Sequence, residues 1–180
     1  MRFLLRLALL LFLIPVSPSG GQDIKTKMVS DFTLPDLDGN RVTLSDNFGQ
    51  GPIYISFWAT WCKPCLEEMK ILQGLYEKYH ERGFLYFAIN TEGARAKGKV
   101  KSFVKSYGFT FPVLIDRDGE VFRRRFKGFA LPFSIMTDPQ GQVVFSAVGF
   151  RPGDEEHIEE LIVKYLPGAE DQPGSEGSGE

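Results

Sequence analysis

The spacing of apolar residues changes several times along the first part of the chain. Nearly every residue from 53 to 58 is apolar, which is typical of a strand buried on both faces of a sheet. Between 66 and 82 the apolar residues recur every three or four positions, which predicts an amphipathic helix that ends at Gly83. Apolar runs at 84–89 and 112–116 predict two more buried strands. This order of strand, helix and strand is that of a βαβ unit.

Shorter elements are predicted on either side of these. Residues 31–44 alternate between apolar and polar around a turn at 38–40, which predicts an N-terminal β-hairpin. The runs 133–137 and 143–148, joined by a turn at 138–141, predict a second hairpin with antiparallel strands. Three further helices are predicted, at 100–107, 121–126 and 154–166. The whole pattern predicts an α/β fold, a mixed central β-sheet flanked by helices on both faces.

The two ends of the chain differ in composition from its middle. Arg2 and Arg6 precede a short apolar stretch and then a segment rich in Pro, Ser and Gly. Residues 1–22 are therefore predicted to be a secretory signal peptide, with an uncleaved N-terminal anchor as the alternative. Residues 168–180 are rich in Gly, Ser and Glu, which predicts a disordered acidic tail. One domain is then expected over 23–167, and export would place it in an oxidising compartment such as the periplasm.

The composition is that of a soluble globular protein, with 43% hydrophobic and 24% charged residues among 180. The formal net charge of −2 is too small to indicate nucleic acid as a partner. The charge is uneven, because residues 95–127 hold ten basic and three acidic residues, whereas 154–180 hold nine acidic and one basic. Two solvated faces of opposite sign would explain this, and a docking surface for an acidic partner or a membrane surface is the alternative.

The candidate chemistry lies between the first buried strand and the long helix. Cys62 and Cys65 are the only cysteines in the chain. A thiol at a helix N-terminus faces unpaired N–H groups and the positive end of the dipole, so its thiolate, the form that attacks disulfides, is favoured. Lys63 adds a positive charge beside Cys62, and Pro64 suits a first helical turn. We therefore predict Cys62 as the attacking thiol and Cys65, one turn deeper, as the resolving thiol.

A zinc site or a purely structural disulfide would account less well for the cysteine pair. A structural zinc ion needs a tetrahedral set of Cys and His ligands, but His80 would lie about 22 Å from Cys65 along the predicted helix. The second histidine, His157, lies on the last predicted helix. No metal site is therefore expected. A structural disulfide across so short a loop would restrain the unfolded chain little. The CxxC spacing in a βαβ context favours a redox-active pair.

The sequence FWATWCKPC, preceded by DFTLPDLDGNRVTLSD and followed by LEEM, resembles the thioredoxin superfamily. Within it, the chain is similar to the exported TlpA/ResA-like thiol–disulfide oxidoreductases. The resemblance covers about residues 29–167. It implies a thioredoxin-like fold with an N-terminal β-hairpin, an insert at about 91–107, and redox chemistry that uses no cofactor.

The resemblance also implies roles for residues outside the CxxC motif. Pro132 matches the family's cis-proline, whose loop lies against the motif, and the backbone of Leu131 would pair with a bound substrate. Trp61 is expected to contact the substrate as well. Glu68 matches an acid near the active site, and it is either a proton carrier for the resolving thiol or an exposed helix residue. Glu92, in the insert loop, is a weaker second candidate for an acid.

Three residues depart from the family pattern. Ser56 stands where cytoplasmic thioredoxins carry a buried Asp, so that proton relay is absent. Lys70 stands where many relatives break the first helix with Pro, so a straighter helix is expected. Leu131 stands where small or β-branched residues are usual, and its bulk could narrow the choice of partner.

We therefore expect a monomeric protein thiol–disulfide oxidoreductase of the periplasm, either free or tethered to the inner membrane by an uncleaved signal. It would reduce disulfides of exported proteins and draw electrons from a membrane thiol carrier. Relatives that do this often serve cytochrome c maturation, and general redox homeostasis is the second expected role. No nucleic acid is expected as a partner.

Two alternatives belong to different functional classes. A copper metallochaperone would hold the metal on both thiols, but it would need a wider CxxxC spacing and a well-placed histidine. A peroxiredoxin-like peroxidase would carry its cysteine in a Pro-x-x-x-Thr/Ser-x-x-Cys context, which Trp61 and Cys62 do not match.

Overall fold

The central sheet has five strands, and the structure, a computed structural model, describes residues 27–168 of the chain. Numbered in chain order, the strands are β1 Thr33–Pro35, β2 Arg41–Thr43, β3 Ile53–Trp58, β4 Leu85–Asn90, β5 Val113–Ile115, β6 Phe133–Thr137 and β7 Val143–Val148. The longer helices are α1 Lys63–Tyr79, α2 Lys97–Tyr107 and α3 Asp154–Tyr165. The sheet order is β5-β4-β3-β6-β7, and β1 and β2 form a separate antiparallel hairpin. The predicted α/β fold with a mixed central sheet and an N-terminal hairpin is confirmed.

Strand β3 lies in the middle of the sheet and is buried along its whole length. It pairs parallel with β4 and antiparallel with β6. Tyr54 and Trp58 belong to the core on one face of the sheet, whereas Ile55 and Phe57 belong to the core on the opposite face. Burial on both faces explains why the apolar run shows no alternation.

The helices cover the two faces of the sheet unequally. All three long helices contribute to the core around Trp58. The opposite core is covered by the β1–β2 hairpin and by a short helix, Val121–Arg125. The crossovers β3–α1–β4 and β4–α2–β5 run in the same direction across the sheet, so right-handed connections put α1 and α2 on the same face. Helices therefore lie on both faces, as predicted, but the second face carries only the short helix.

A single carboxylate organises the turn of the N-terminal hairpin. Asp36 Oδ1 accepts hydrogen bonds from the backbone N–H groups of Asp38, Gly39 and Asn40, at 2.8, 2.6 and 2.9 Å. Gly39 has a φ of +105°, a left-handed value that favours glycine. The turn residues at 38–40 were expected from the sequence, and an aspartate shortly before them holds the turn together.

The short helix Val121–Arg125 forms one wide turn. The N–H of Phe126 donates to the C=O of Val121 at 3.0 Å, which is an i to i−5 hydrogen bond. The buried Asp116 carboxylate accepts hydrogen bonds from the N–H groups of Val121 and Phe122, at 3.4 and 2.9 Å. This anchor buries the Phe122 side chain and leaves Arg123 exposed on the surface.

Part of the predicted domain organisation lies outside the described residues. The predicted signal peptide, 1–22, and all but the first residue of the predicted tail, 168–180, are not among residues 27–168. Within residues 27–168, no helix has the length and the apolar character needed to cross a membrane.

Candidate active site

The active-site loop joins the end of β3 to the start of α1. Cys62 is the N-cap residue of α1, and its Sγ accepts a hydrogen bond from the backbone N–H of Cys65 at 3.3 Å. The two cysteines form a disulfide, with their Cα atoms 5.3 Å apart. Cys62 is 6% exposed and Cys65 is 0% exposed. The structure therefore places both sulphurs at the predicted junction, and of the two cysteines only Cys62 retains any exposed surface.

Helix α1 begins at Lys63, earlier than the start at residue 66 that the apolar spacing predicts. The spacing misses the first turn because its residues are polar or reactive rather than apolar. Lys63 and Pro64 are both exposed, and Pro64 occupies a position where its missing N–H leaves no helical hydrogen bond unmade. The Cys62 sulphur thus lies at the positive end of a long helix, which favours its thiolate.

The register of the sheet places Pro132 beside the active-site loop. Phe57 of β3 pairs with Phe133 of β6, so the residue before β6 is opposite the end of β3. The peptide bond between Leu131 and Pro132 is cis, as the resemblance implies. Pro132 is buried, and Leu131 is half-buried against the core that contains both cysteines. Among residues 27–168, the backbone N–H and C=O of Leu131 have no backbone partner, so both are free to pair with an extended substrate.

Glu68 is a buried carboxyl one turn after Cys65 on α1. It is 0% exposed, and its Oε1 accepts hydrogen bonds from the hydroxyls of Tyr54 at 2.9 Å and Ser134 at 2.5 Å. Its Oε2 has no partner among the described residues. Burial raises the pKa of Glu68 to about 7; the two hydrogen bonds oppose this rise, and the charge of Asp154 adds to it. The alternative of an exposed helix glutamate is therefore wrong.

The hydroxyls around Glu68 were not predicted from the sequence. Tyr54 lies on the central strand β3, and Ser134 lies on the neighbouring strand β6. Ser56, at the position of the missing aspartate, pairs in register with Ser134 and shares a hydrogen bond with the hydroxyl of Tyr86 at 2.8 Å. The sequence contained a signal for this cluster of hydroxyls, because Tyr54 and Ser56 are polar residues two positions apart in an otherwise apolar strand.

Glu92 anchors the active-site loop from the insert. Its Oε2 accepts the backbone N–H of Thr60 at 2.6 Å, and its Oε1 accepts the Thr60 hydroxyl at 2.9 Å. Lys99 forms an ion pair with Oε1 at 3.0 Å, and Asn90 donates to Oε2 at 3.2 Å. Burial would raise the pKa of Glu92, but these hydrogen bonds outweigh burial and lower it. Glu92 is therefore an ionised anchor at neutral pH, which makes it a poor proton carrier.

Replacing Glu92 by Gln is expected to lower the free energy of unfolding at pH 7 by roughly 1.5 to 3 kcal/mol, the contribution of a hydrogen bond to a charged group. The lowered pKa means that this stabilisation is present at neutral pH and is lost as the pH falls through the folded-state pKa. Urea unfolding of both proteins at pH 7 measures the difference. The exposed Glu81→Gln is the control, and equal midpoints for the two variants would contradict an anchoring role.

The histidines lie away from the cysteines and on different elements. His80 follows α1 at its far end, and His157 lies on α3; both are exposed. In the described part of the chain, no group of three or more His, Cys, Asp or Glu side chains could hold a metal ion.

An open groove of about 250 Å³ lies next to the active-site loop. Trp61 and Leu131, both expected to contact the substrate, line it together with Phe129, which the sequence did not single out. Trp61 is 68% exposed and Phe129 is 82% exposed. We call this the Trp61–Phe129 groove. The structure therefore brings Trp61 and Leu131 onto one surface and adds the aromatic side chain of Phe129 to it.

A CxxC disulfide caps a helix that follows a buried central strand, and a cis-proline lies just before the adjacent strand. This combination defines a dithiol–disulfide exchange enzyme with a thioredoxin-like fold.

Comparisons with known proteins agree with this class. The Redoxin family profile matches residues 24–162. "Thiol-disulfide oxidoreductase ResA" of Bacillus cereus (strain ATCC 10987 / NRS 248) is 36% identical over 141 residues, 78% of each chain. The candidate thiol:disulfide interchange protein DsbE of Chlorobium tepidum has a crystal structure that is 33% identical, with a TM-score of 0.71, covering 78% of this chain and 96% of that one. StoA from Bacillus subtilis, 22% identical with a TM-score of 0.61 over 73% and 96%, shares the fold.

The chain belongs to the Redoxin family, within the thioredoxin superfamily. By homology it is a thiol–disulfide oxidoreductase that carries its redox-active pair at Cys62 and Cys65.

Proposed function

We propose that the protein reduces disulfides of exported proteins, with Cys62 as the attacking thiol and Cys65 as the resolving thiol. The unequal exposure of the pair carries this assignment, since Cys62 is 6% exposed and Cys65 is 0% exposed. The attacking thiol has to be reached by a substrate sulphur, whereas the resolving thiol acts inside the protein. Relatives named as thiol-disulfide oxidoreductases support the class of reaction.

In the first step, the Cys62 thiolate attacks one sulphur of the substrate disulfide. The helix N-terminus and the N–H of Cys65 stabilise the thiolate before it reacts. The S–S bond of the substrate breaks, and a mixed disulfide forms between Cys62 and the substrate. The second substrate sulphur leaves as a thiolate and takes up a proton from water.

In the second step, Cys65 must lose its proton before it can attack the mixed disulfide. Glu68, one turn further along α1 and with its pKa raised by burial to about 7, accepts that proton. The Cys65 thiolate then attacks the Cys62 sulphur, which releases the reduced substrate and forms the Cys62–Cys65 disulfide. The substrate gains two electrons from the pair, so a thiol donor must reduce the pair again; neither step uses a cofactor.

The cellular setting is part of the same proposal. The signal-like pattern of residues 1–22 supports export to the periplasm, free or tethered to the inner membrane. In that oxidising compartment, a reductant must draw electrons from a membrane thiol carrier. Maturation of cytochrome c or general redox homeostasis is the process such a reductant would serve, acting as a monomer.

Replacing Cys65 by Ser is expected to trap substrates, because the mixed disulfide on Cys62 can no longer be resolved. Non-reducing electrophoresis of the exported variant, followed by mass spectrometry, measures the trapped species. The matched control is Cys62→Ser, which should trap nothing. Trapping by Cys62→Ser alone would reverse the two roles. A measured reduction potential of about −120 mV, which is that of the strong oxidant DsbA, would contradict the proposal that the protein reduces its substrates.

A further inference from the structure

We propose that the Trp61–Phe129 groove selects substrates whose disulfide lies in an extended, acidic segment, with Arg123 as the residue that receives the acidic side chain. This inference rests on the proposed function, since it names the kind of substrate that reaches Cys62. The segment would place an apolar side chain between the two aromatic residues and a carboxylate against Arg123.

Two large aromatic side chains make one side of the groove apolar. Trp61 directly precedes Cys62 in the chain, and it lines the groove next to the active-site loop. Phe129 reaches the same groove from the loop before Pro132, and it is more exposed than Trp61, at 82% against 68%. Two such side chains in one groove mark a surface that binds an apolar group, whereas single exposed apolar residues are ordinary.

The buried residue Phe122 also lines the groove, and a glycine makes room for its ring. A Cβ added to Gly128 would overlap the nearest ring carbon of Phe122. Gly128 also donates its N–H to the C=O of Phe122 at 2.8 Å. The loop is therefore drawn tightly over the ring, and this close packing precedes the exposed Phe129 in the chain. The backbone directly before Phe129 is thus held in place by this packing.

A second glycine makes room for the charged side of the groove. A Cβ added to Gly119 would overlap the Nη2 atom of Arg123, so the guanidinium lies directly over the Gly119 backbone. Gly119 has a φ of +65°, a left-handed value that favours glycine. The same Nη2 donates to the C=O of Asp118 at 3.4 Å. The guanidinium is thus positioned at the groove by backbone contacts rather than by a carboxylate.

The charge of the groove determines which side chains of a substrate it can bind. Arg123 remains exposed, and within residues 27–168 no carboxylate forms an ion pair with it. No acidic side chain of the described residues lines the groove, and the neighbouring Arg124 and Arg125 are exposed basic residues on the same short helix. A carboxylate is the complementary partner of a planar guanidinium. The free backbone groups of Leu131 on the same surface suit an extended segment.

The test compares three short peptides that each contain one internal disulfide and differ only in flanking Asp, Asn or Lys residues. Reduction of each peptide by the reduced full-length protein transfers two electrons from the Cys62–Cys65 pair, and each rate is divided by the rate of the same peptide with dithiothreitol. We expect the acidic peptide to react roughly tenfold faster than the Lys peptide at low salt. The preference should vanish near molar salt, where the Debye length is about 3 Å.

Arg123→Gln is expected to bring the ratio of acidic to basic rates close to one, whereas Arg124→Gln, which removes the same charge outside the groove, should retain most of it. Equal normalised rates for the three peptides would overturn the inference and leave the proposed function standing. An equal loss in both variants would also overturn it, because a general basic field would then be the cause. If the preference for the acidic peptide appears only after the acidic residues of 169–180 are neutralised, the chain's own tail, and not a substrate, is the acidic segment that binds the groove. If no peptide is reduced at all, the proposed function fails as well.

Discussion

Replacing Glu68 by Gln is expected to slow the resolution of mixed disulfides about a hundredfold at pH 7, which is the low end of what a positioned proton acceptor contributes. Cys65 is completely buried, and burial disfavours its thiolate, so the second step depends on a nearby acceptor. The carboxylate of Glu68 can accept this proton, and the amide of Gln cannot. The attack by Cys62 does not involve Glu68, so its rate should be unchanged.

Rapid mixing of the reduced protein with a chromogenic aromatic disulfide separates the two steps, since the leaving thiolate reports the attack and the second thiolate reports resolution. In the unchanged protein, the resolution rate should rise with pH through an inflection near 7, the pKa to which burial raises Glu68. In Glu68→Gln that inflection should be absent. The exposed neighbour Glu67→Gln is the matched control. Identical resolution rates in the two variants would remove Glu68 from the mechanism.

The oxidised protein is expected to lose about 3 kcal/mol of its free energy of unfolding between pH 4.5 and pH 8, because the folded chain holds a proton on Glu68 that the unfolded chain has released. Burial raises the pKa of this carboxyl from 4.5 to about 7, and each unit is worth roughly 1.4 kcal/mol. For a pKa raised on folding, the stabilisation is fully present below the unfolded-state value and is lost as the pH rises through the folded-state value.

Urea unfolding of the oxidised protein across this range measures the effect, and the disulfide keeps both cysteines from titrating. In Glu68→Gln the decline should be absent. The carboxyls of Asp36, Glu92 and Glu159 have lowered pKa values, so their contributions are lost at lower pH than this window. A decline of the same size in Glu68→Gln would show that another group is responsible.

The order of elements was readable from the chain because each strand and helix has its own apolar period. The run at 53–58 and the spacing after residue 66 locate β3 and α1 to within a few residues. The first turn of α1 was missed, since Lys63, Pro64 and Cys65 have no apolar period. The unequal cover of the sheet was missed too, because the face on which a crossover helix packs follows from the order of strands in space.

The sequence left open whether Glu68 is a proton carrier or an exposed helix residue, and it did not predict the anchoring role of Glu92. Glu67 and Glu68 are identical side chains on successive helix positions, yet one is exposed and the other completely buried. Rotation of about 100° per residue in a helix separates them, and only the packing of α1 against β3 decides which one faces Tyr54. Glu92 likewise became an anchor of Thr60 because the end of β4 lies beside the active-site loop.

The sequence by itself determined the reactive group: two cysteines spaced as CxxC at the start of a helix lie one turn apart, which is close enough to bond. Local geometry is enough for that, because only two residues lie between them. The tertiary structure alone decided that Glu68 is buried among hydroxyls from two strands, and that Phe129 and Arg123 meet Trp61 in one groove. Those contacts join residues far apart in the chain, and they exist only after the sheet and its loops have packed.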